Sequence, residues 1–222
     1  MDREVLIGIS AIADNNWRDK IDQLLHFNIK RASLFLTGIN AQTRNEIYSY
    51  LDQNNSLTLP LIHASSDMKP EEYERLLADF GAEIFVLHPE REYPLHYNID
   101  KFKPKTAIEN SFLCKLDKND FVGYGGACID TTHLNEFHNS NKEFYNAALK
   151  SIAGVTVMAN HIGKSEHLID DDHTLTDLSQ LDYLSGISDE LLGKYLGIEL
   201  SNNVEEQIIV KSIIEEKLHI QS

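Results

Sequence analysis

Eight short apolar runs recur along the chain at fairly even intervals, and they constrain the fold more than any other feature. In order they read VLIGIS (5–10), ASLFLTG (32–38), LPLIHAS (59–65), EIFVLHP (83–89), KTAIENS (105–111), ACIDTTH (127–133), VTVMANH (155–161) and YLGIELS (195–201). Each is rich in β-branched and aliphatic residues and lacks clean in–out alternation. That pattern belongs to parallel strands covered on both faces, because a solvated face would ask for a polar residue at every second position.

Helical patterns lie between several of the runs. WRDKIDQLLHFNI (17–29) places Trp17, Ile21, Leu24, Leu25 and Asn28 on one side. KPEEYERLLADFG (69–81) has proline near its start, acids in its first turn and glycine after its end, and KEFYNAALKSIAG (142–154) stops in the same way. SDELLGK (188–194) and NVEEQIIVKSIIEEKL (203–218) supply the last two candidates, the second being the stronger. Parallel strands need crossovers, so the expected class is α/β and the expected fold a (β/α)8 TIM barrel, with a doubly wound open sheet as the alternative. The connections 90–104 and 112–126 are too short or irregular for full helices, so the barrel should be compact with some reduced outer helices. A single domain over 1–222 is expected, near the lower end for barrels of about 250 residues.

A formal charge of −15 offers nucleic acid no basic surface, which disfavours DNA as a partner. Carboxylates gathered around metal ions would count in that sum while being neutralised in place. MDREVLIGIS opens with an acid and only a short apolar run, and no segment is long enough to cross a bilayer, so a cytoplasmic protein with no membrane partner is expected. Cys114 and Cys128 form no ligand-like pair and read as reduced, buried, inert thiols. GYGGAC (123–128) precedes a strand, the wrong context for a phosphate loop, and reads as a turn. EREYPLHYNIDKFKP (90–104) carries Arg91, Tyr93, His96, Tyr97 and Lys101, and is read as an extended surface connection before a base- or sugar-stacking loop. Trp17, at a helix start beside Arg18, should pack on the barrel.

Active sites of such barrels form at the carboxyl ends of the strands. There the runs offer His63, His88, Glu109, Asp130 with His133, His161 and Glu199, and DDDH (170–173) adds Asp171 and His173. Singly, each has a bland explanation. A lone histidine usually sits hydrogen-bonded in a core or rim, and Glu109, Asp130 or Glu199 could cap a following helix. His26, His96, His138, His167 and His219 fall outside the pattern. Together, five imidazoles and four carboxylates without a cation would repel and desolvate one another. Divalent ions remove that conflict, and mixed His/carboxylate donors without thiolate suit zinc or manganese. Nine donors exceed one ion and fit two or three, with Glu109 as a bridge.

The order LIHAS, VLHPE, IENS, CIDTTH, ANHIGKS, DDH and IELS resembles the xylose isomerase-like barrel superfamily, and within it endonuclease IV, the metal-dependent apurinic/apyrimidinic endonuclease. The resemblance implies a first Zn2+ on His63, His88 and Glu109. It implies a second on Glu109, Asp130, His161 and Glu199, and a third on His133, Asp171 and His173. Lys164, in HIGKS, matches a lysine near the metal site, which implies a phosphate contact; the alternative is a solvated loop lysine. The implied activity is hydrolysis of a phosphodiester, in abasic DNA or a smaller phosphoester, with Glu109, Glu199 and Lys164 as the catalytic set. Two departures bear on DNA: the first strand exits as SAIADNN without the expected glycines, and HTLTDLSQ lacks the glycine pair that usually follows the DDH-like motif. The competing reading is a sugar isomerase or epimerase of the same superfamily, holding one Mn2+ or Mg2+ on Glu109, Asp130, His161 and Glu199 and acting on a small sugar-like substrate. A third is a catalytically silent barrel that serves as a binding module.

Overall fold

The eight runs form strands, and every one pairs in parallel with its neighbour in sequence: β1 (Glu4–Ser10), β2 (Arg31–Phe35), β3 (Thr58–His63), β4 (Ile84–Leu87), β5 (Thr106–Glu109), β6 (Gly126–Asp130), β7 (Val157–Ile162) and β8 (Tyr195–Ile198). The computed structural model describes residues 2–10, 16–54, 56–165 and 173–220. β8 pairs back on β1, from Glu4 opposite Tyr195 to Leu6 opposite Gly197, so the sheet closes into an eight-stranded TIM barrel and the open-sheet alternative falls.

Strand alternation then decides where the polar strand ends point. Leu6, Leu61, Ile84, Val86, Ala107, Cys128, Ala159 and Tyr195 come from seven different strands yet form one buried cluster, the filling of the barrel. Side chains two positions apart share a face. Hence Leu61 implies an inward His63, Val86 an inward His88, Ala107 an inward Glu109, Cys128 an inward Asp130 and Ala159 an inward His161. Each is the next inward position toward the carboxyl end, so the apolar filling forms the floor of a polar cup.

Outside the barrel, α1 (Trp17–His26), α2 (Ala41–Gln53), α3 (Pro70–Asp79), α4 (Thr131–Ser140), α5 (Lys142–Ile152) and α6 (Val204–Lys217) cover the outward faces. α3 and α5 stop ahead of Gly81 (φ 66°) and Gly154 (φ 80°), the left-handed positions that their glycines foretold. Asn203 and Glu206 cap each other's backbone at the start of α6. Trp17 is fully buried beneath the Arg18 guanidinium. The two expected helix-poor connections carry only short 3-10 turns, Lys103–Lys105 and Lys118–Phe121. Gly123 (φ 84°) turns the chain ahead of β6. No helix among the described residues is long and apolar enough to cross a membrane.

Several expectations need correction. α1 ends at His26, and Asn28, at φ 55°, has left the helix rather than sharing its buried face. α2 escapes the periodicity because its buried stripe includes Arg44 alongside Ile47, Tyr48 and Leu51. That guanidinium is fully buried but bonded to Glu72 (2.8 and 3.1 Å), Asp67 (2.9 Å) and the Ile39 carbonyl. The sixth run is four residues, not seven, past Gly126: β6 stops at Asp130, and His133 lies in the first turn of α4. SDELLGK makes only a 3-10 turn, Asp189–Leu191, while a longer 3-10 segment, Leu178–Gly186, precedes it. Cys128 is buried as expected, but Cys114 is only half-buried.

Candidate metal centre

Glu109, the last residue of β5, sits at the centre of the cup and is 1% exposed. Its Oε1 accepts a 2.6 Å hydrogen bond from His161 Nδ1. Its Oε2 lies 3.3 Å from His63 Nε2 and 3.3 Å from His88 Nε2, yet makes no hydrogen bond. Glu199, one residue past β8, brings Oε2 to 3.5 Å from His161 Nδ1. One donor atom from each of His63, Glu109, His161 and Glu199 falls within 4.8 Å of all the others, and all four residues are buried. Phe35 supplies the apolar wall, its ring centroid 5.0 Å from that of His161 and 6.1 Å from that of His63.

The unsatisfied atoms in this cup are informative. His63 Nδ1 and Nε2, Glu109 Oε2 and His161 Nε2 are all buried without hydrogen-bond partners. A native interior seldom tolerates such a concentration, since each orphaned group costs on the order of 1–3 kcal/mol. Donors about 2.0–2.2 Å from a tetrahedral ion lie roughly 3.4 Å apart, so the two 3.3 Å spacings, from Glu109 Oε2 to His63 Nε2 and to His88 Nε2, suit donors sharing a cation. The buried His/Glu cluster could therefore hold a metal ion.

Burial and the central Glu109 carboxylate together shift the groups of the cup in different directions. Burial drives the proton off His63 and keeps its imidazole well below the usual range, so it stands as a neutral donor. Burial opposes charge on Glu109, but His161 and His63 beside it hold its carboxyl well below the ordinary range. His161 is also disfavoured as a cation by burial; Cys128 and Glu109 oppose this and raise it well above normal. His88 rises as well, because contact with Glu109 outweighs its burial. Glu199 goes the other way from Glu109: burial raises it, with His161 pulling against that and Glu109 adding to it. Two carboxyls in one cup are thus pushed apart.

Asp130 and His133 form a second group beside the first. Asp130 Oδ1 caps α4 by accepting from the His133 backbone at 2.7 Å, the helix-capping role that its sequence position also permitted. Its Oδ2 faces His133 Nε2 at 3.7 Å. His133 Nδ1 lies 2.9 Å from the Asn110 carbonyl, and a carbonyl only accepts, so Nδ1 carries a hydrogen and Nε2 is the ring nitrogen turned toward Asp130. Asn110 also clasps the Asp130 backbone through both its N–H and its carbonyl, at 2.9 and 3.0 Å. No periodicity or motif singled out Asn110 beforehand. Phe112 packs on His133 at 3.9 Å between centroids. Phe35 was legible in principle, as the inward strand end of β2.

His173 is half-buried, and its carbonyl accepts from Ser201 at 3.0 Å, which holds it by the β8 exit. Lys164 is half-buried just past β7. Asp171, His167 and the first-strand exit at 11–15 lie outside the described residues. Beside the cup opens a cavity of about 280 Å3, with Thr37, Ser65, Ser66, His88 and Tyr93 in its wall. His88 belongs to both spaces, its ring 5.2 Å from that of Tyr93. Arg91, in the same connection as Tyr93, is tied to Asp120 at 2.8 and 2.6 Å.

No protein-family model matches this chain, and no curated protein matches it in sequence. The barrel and the cup must speak for themselves.

Proposed function

We propose that this barrel is a metal-dependent hydrolase of phosphoesters with a di- or trinuclear zinc centre. One observation carries the reading: His63 and His88 both aim Nε2 at a single oxygen of Glu109, while the other oxygen engages His161. A carboxylate served by imidazoles on both oxygens has the donor arrangement of a bridge. His63, His88 and Glu109 would hold one ion, and Glu109, Asp130, His161 and Glu199 a second. His133 and His173, with Asp171, are assigned to a third.

Bound there, the ions would supply Lewis acidity toward a phosphoryl oxygen and lower the pKa of water. The chain's own groups do the rest. Glu109 orients His161 and keeps the pocket anionic. Glu199, whose carboxyl burial raises above its ordinary range, stands beside His161 at the β8 exit, where it would hold the second ion and face the departing alkoxide. Lys164, at the rim, is assigned to a phosphate oxygen. The Phe35 wall and the buried strand ends exclude bulk water from the cup.

A second reading, a single-metal sugar isomerase, draws on the cavity beside the cup. Its hydroxyls and tyrosine ring suit a neutral polyhydroxylated chain, and no lysine or arginine among the described residues lines it. Metal analysis coupled to a His88→Ala variant separates the two. The hydrolase reading expects two or more zinc ions per chain, one fewer in the variant, and at least a hundredfold loss of bis(p-nitrophenyl) phosphate hydrolysis. A single manganese or magnesium ion, untouched by the variant and accompanied by ketose turnover, would establish the isomerase instead.

A further inference from the structure

On the opposite side of the molecule, where the strands begin, an open crevice of about 460 Å3 lies between the end of α1 and α6. It is larger than the cavity beside the cup and within the usual range for small-molecule sites. Its origin is local. α1 stops at His26, and the left-handed Asn28 redirects the chain, leaving Phe27 40% exposed and Ile29 half-buried on one wall. Ile208 of α6 faces them, and β1 forms the floor.

The rim is what distinguishes this crevice from an ordinary packing gap. Lys30, Arg31 and Lys211 line it, against one carboxylate, Glu4, in a chain of net charge −15. Glu4 is already engaged by Arg31 at 2.8, 3.1 and 3.0 Å. Lys30 is exposed and makes no ion pair among the described residues. Lys211 donates to the Val5 carbonyl and lies 3.3 Å from Glu215, which anchors its ammonium at the edge. With Arg31 paired to Glu4 and Lys211 to Glu215, Lys30 is the rim cation left to meet a ligand, and an apolar trough beside it matches an anion carrying an apolar chain. We propose that the crevice binds a medium-chain monocarboxylate, with the chain along Phe27, Ile29 and Ile208 and the carboxylate at Lys30.

The test is calorimetric titration of the full chain, as purified and in parallel with EDTA, using straight-chain carboxylates from hexanoate to decanoate, with decanol and decyltrimethylammonium as controls. The expected result is one site per chain that tightens about fourfold per methylene, the equivalent of about 0.8 kcal/mol. Decanol should bind roughly tenfold more weakly for want of a charge-assisted contact, and the ammonium not measurably. EDTA should change nothing, which separates this site from carboxylate ligation in the cup. Lys30→Glu should weaken decanoate about tenfold, and Ile208→Trp should fill the trough and abolish binding, both with the urea midpoint retained. No binding, equal affinity for decanol and decanoate, loss in EDTA, or indifference to both variants would each overturn the assignment.

Discussion

Replacing Glu109 with glutamine isolates charge from shape. The amide keeps the volume and can still accept from His161 Nδ1, the donor now 2.6 Å away. Its NH2 can donate to His63 or His88, whose Nε2 atoms lie 3.3 Å from the oxygen it replaces. Without metal, then, the loss is chiefly charge assistance in one buried hydrogen bond. A charged bond contributes about 1.5–3 kcal/mol and a neutral one about 0.5–1.5, so the metal-free cost is about 1 kcal/mol. With metal the comparison changes. Wild-type protein at free metal a hundredfold above Kd gains about 2.7 kcal/mol, which the variant largely forfeits, so the gap should widen to about 4 kcal/mol. For a chain of this size each kcal/mol moves Tm by about 2–4 °C. Paired urea and thermal unfolding in EDTA and in zinc measures both gaps. An equal gap in the two conditions would refute a metal-binding Glu109, and with it the reasoning from orphaned donors.

Other perturbations give separate readings. Asp130→Asn keeps the α4 cap and should hold stability within about 0.5 kcal/mol while lowering metal retention, whereas Asp130→Ala should cost about 1 kcal/mol more in urea unfolding. Arg44→Ala strands Asp67 and Glu72 from their buried partner and should cost about 3–5 kcal/mol, read from the urea midpoint at constant m. The metal-free protein should show a pH window. The lowered Glu109 stabilises above its ordinary value of 4.5 and is lost as pH falls, and the raised His161 stabilises below 6.5 and is lost as pH rises through its folded value. His63, held low, and Glu199, held high, work in opposite senses between 4.5 and 6.5, so the diagnostic limbs lie outside that range. Urea midpoints in EDTA should fall below pH 4.5 and fall again above 6.5, and a steady rise through neutrality into alkali would contradict the pair.

The strands were readable because burial on both faces leaves an unbroken apolar signature, and most helices announced themselves through stops such as Gly81 and Gly154. α2 and α4 were not, for a shared reason. Each depends on groups whose worth is tertiary: Arg44 is tolerable in a core only because Glu72 and Asp67 meet it there, and α4 has only Leu134 and Phe137 as large buried apolar residues. The polar strand ends were legible by position, since each closes an apolar run, but the face they take follows from Leu61 and Ala159 filling the barrel.

The amino-acid order alone placed imidazoles and carboxylates at or just past the carboxyl ends of the apolar runs. It could not settle whether residues from 63 to 199 would meet, because that rests on β8 finding β1 and closing the ring. Nor could it say that Asp130 divides its oxygens between a helix cap and His133, or that Asn110 holds a hydrogen on His133 Nδ1. Those are choices among partners within a few ångströms, and only long-range packing decides which partners arrive.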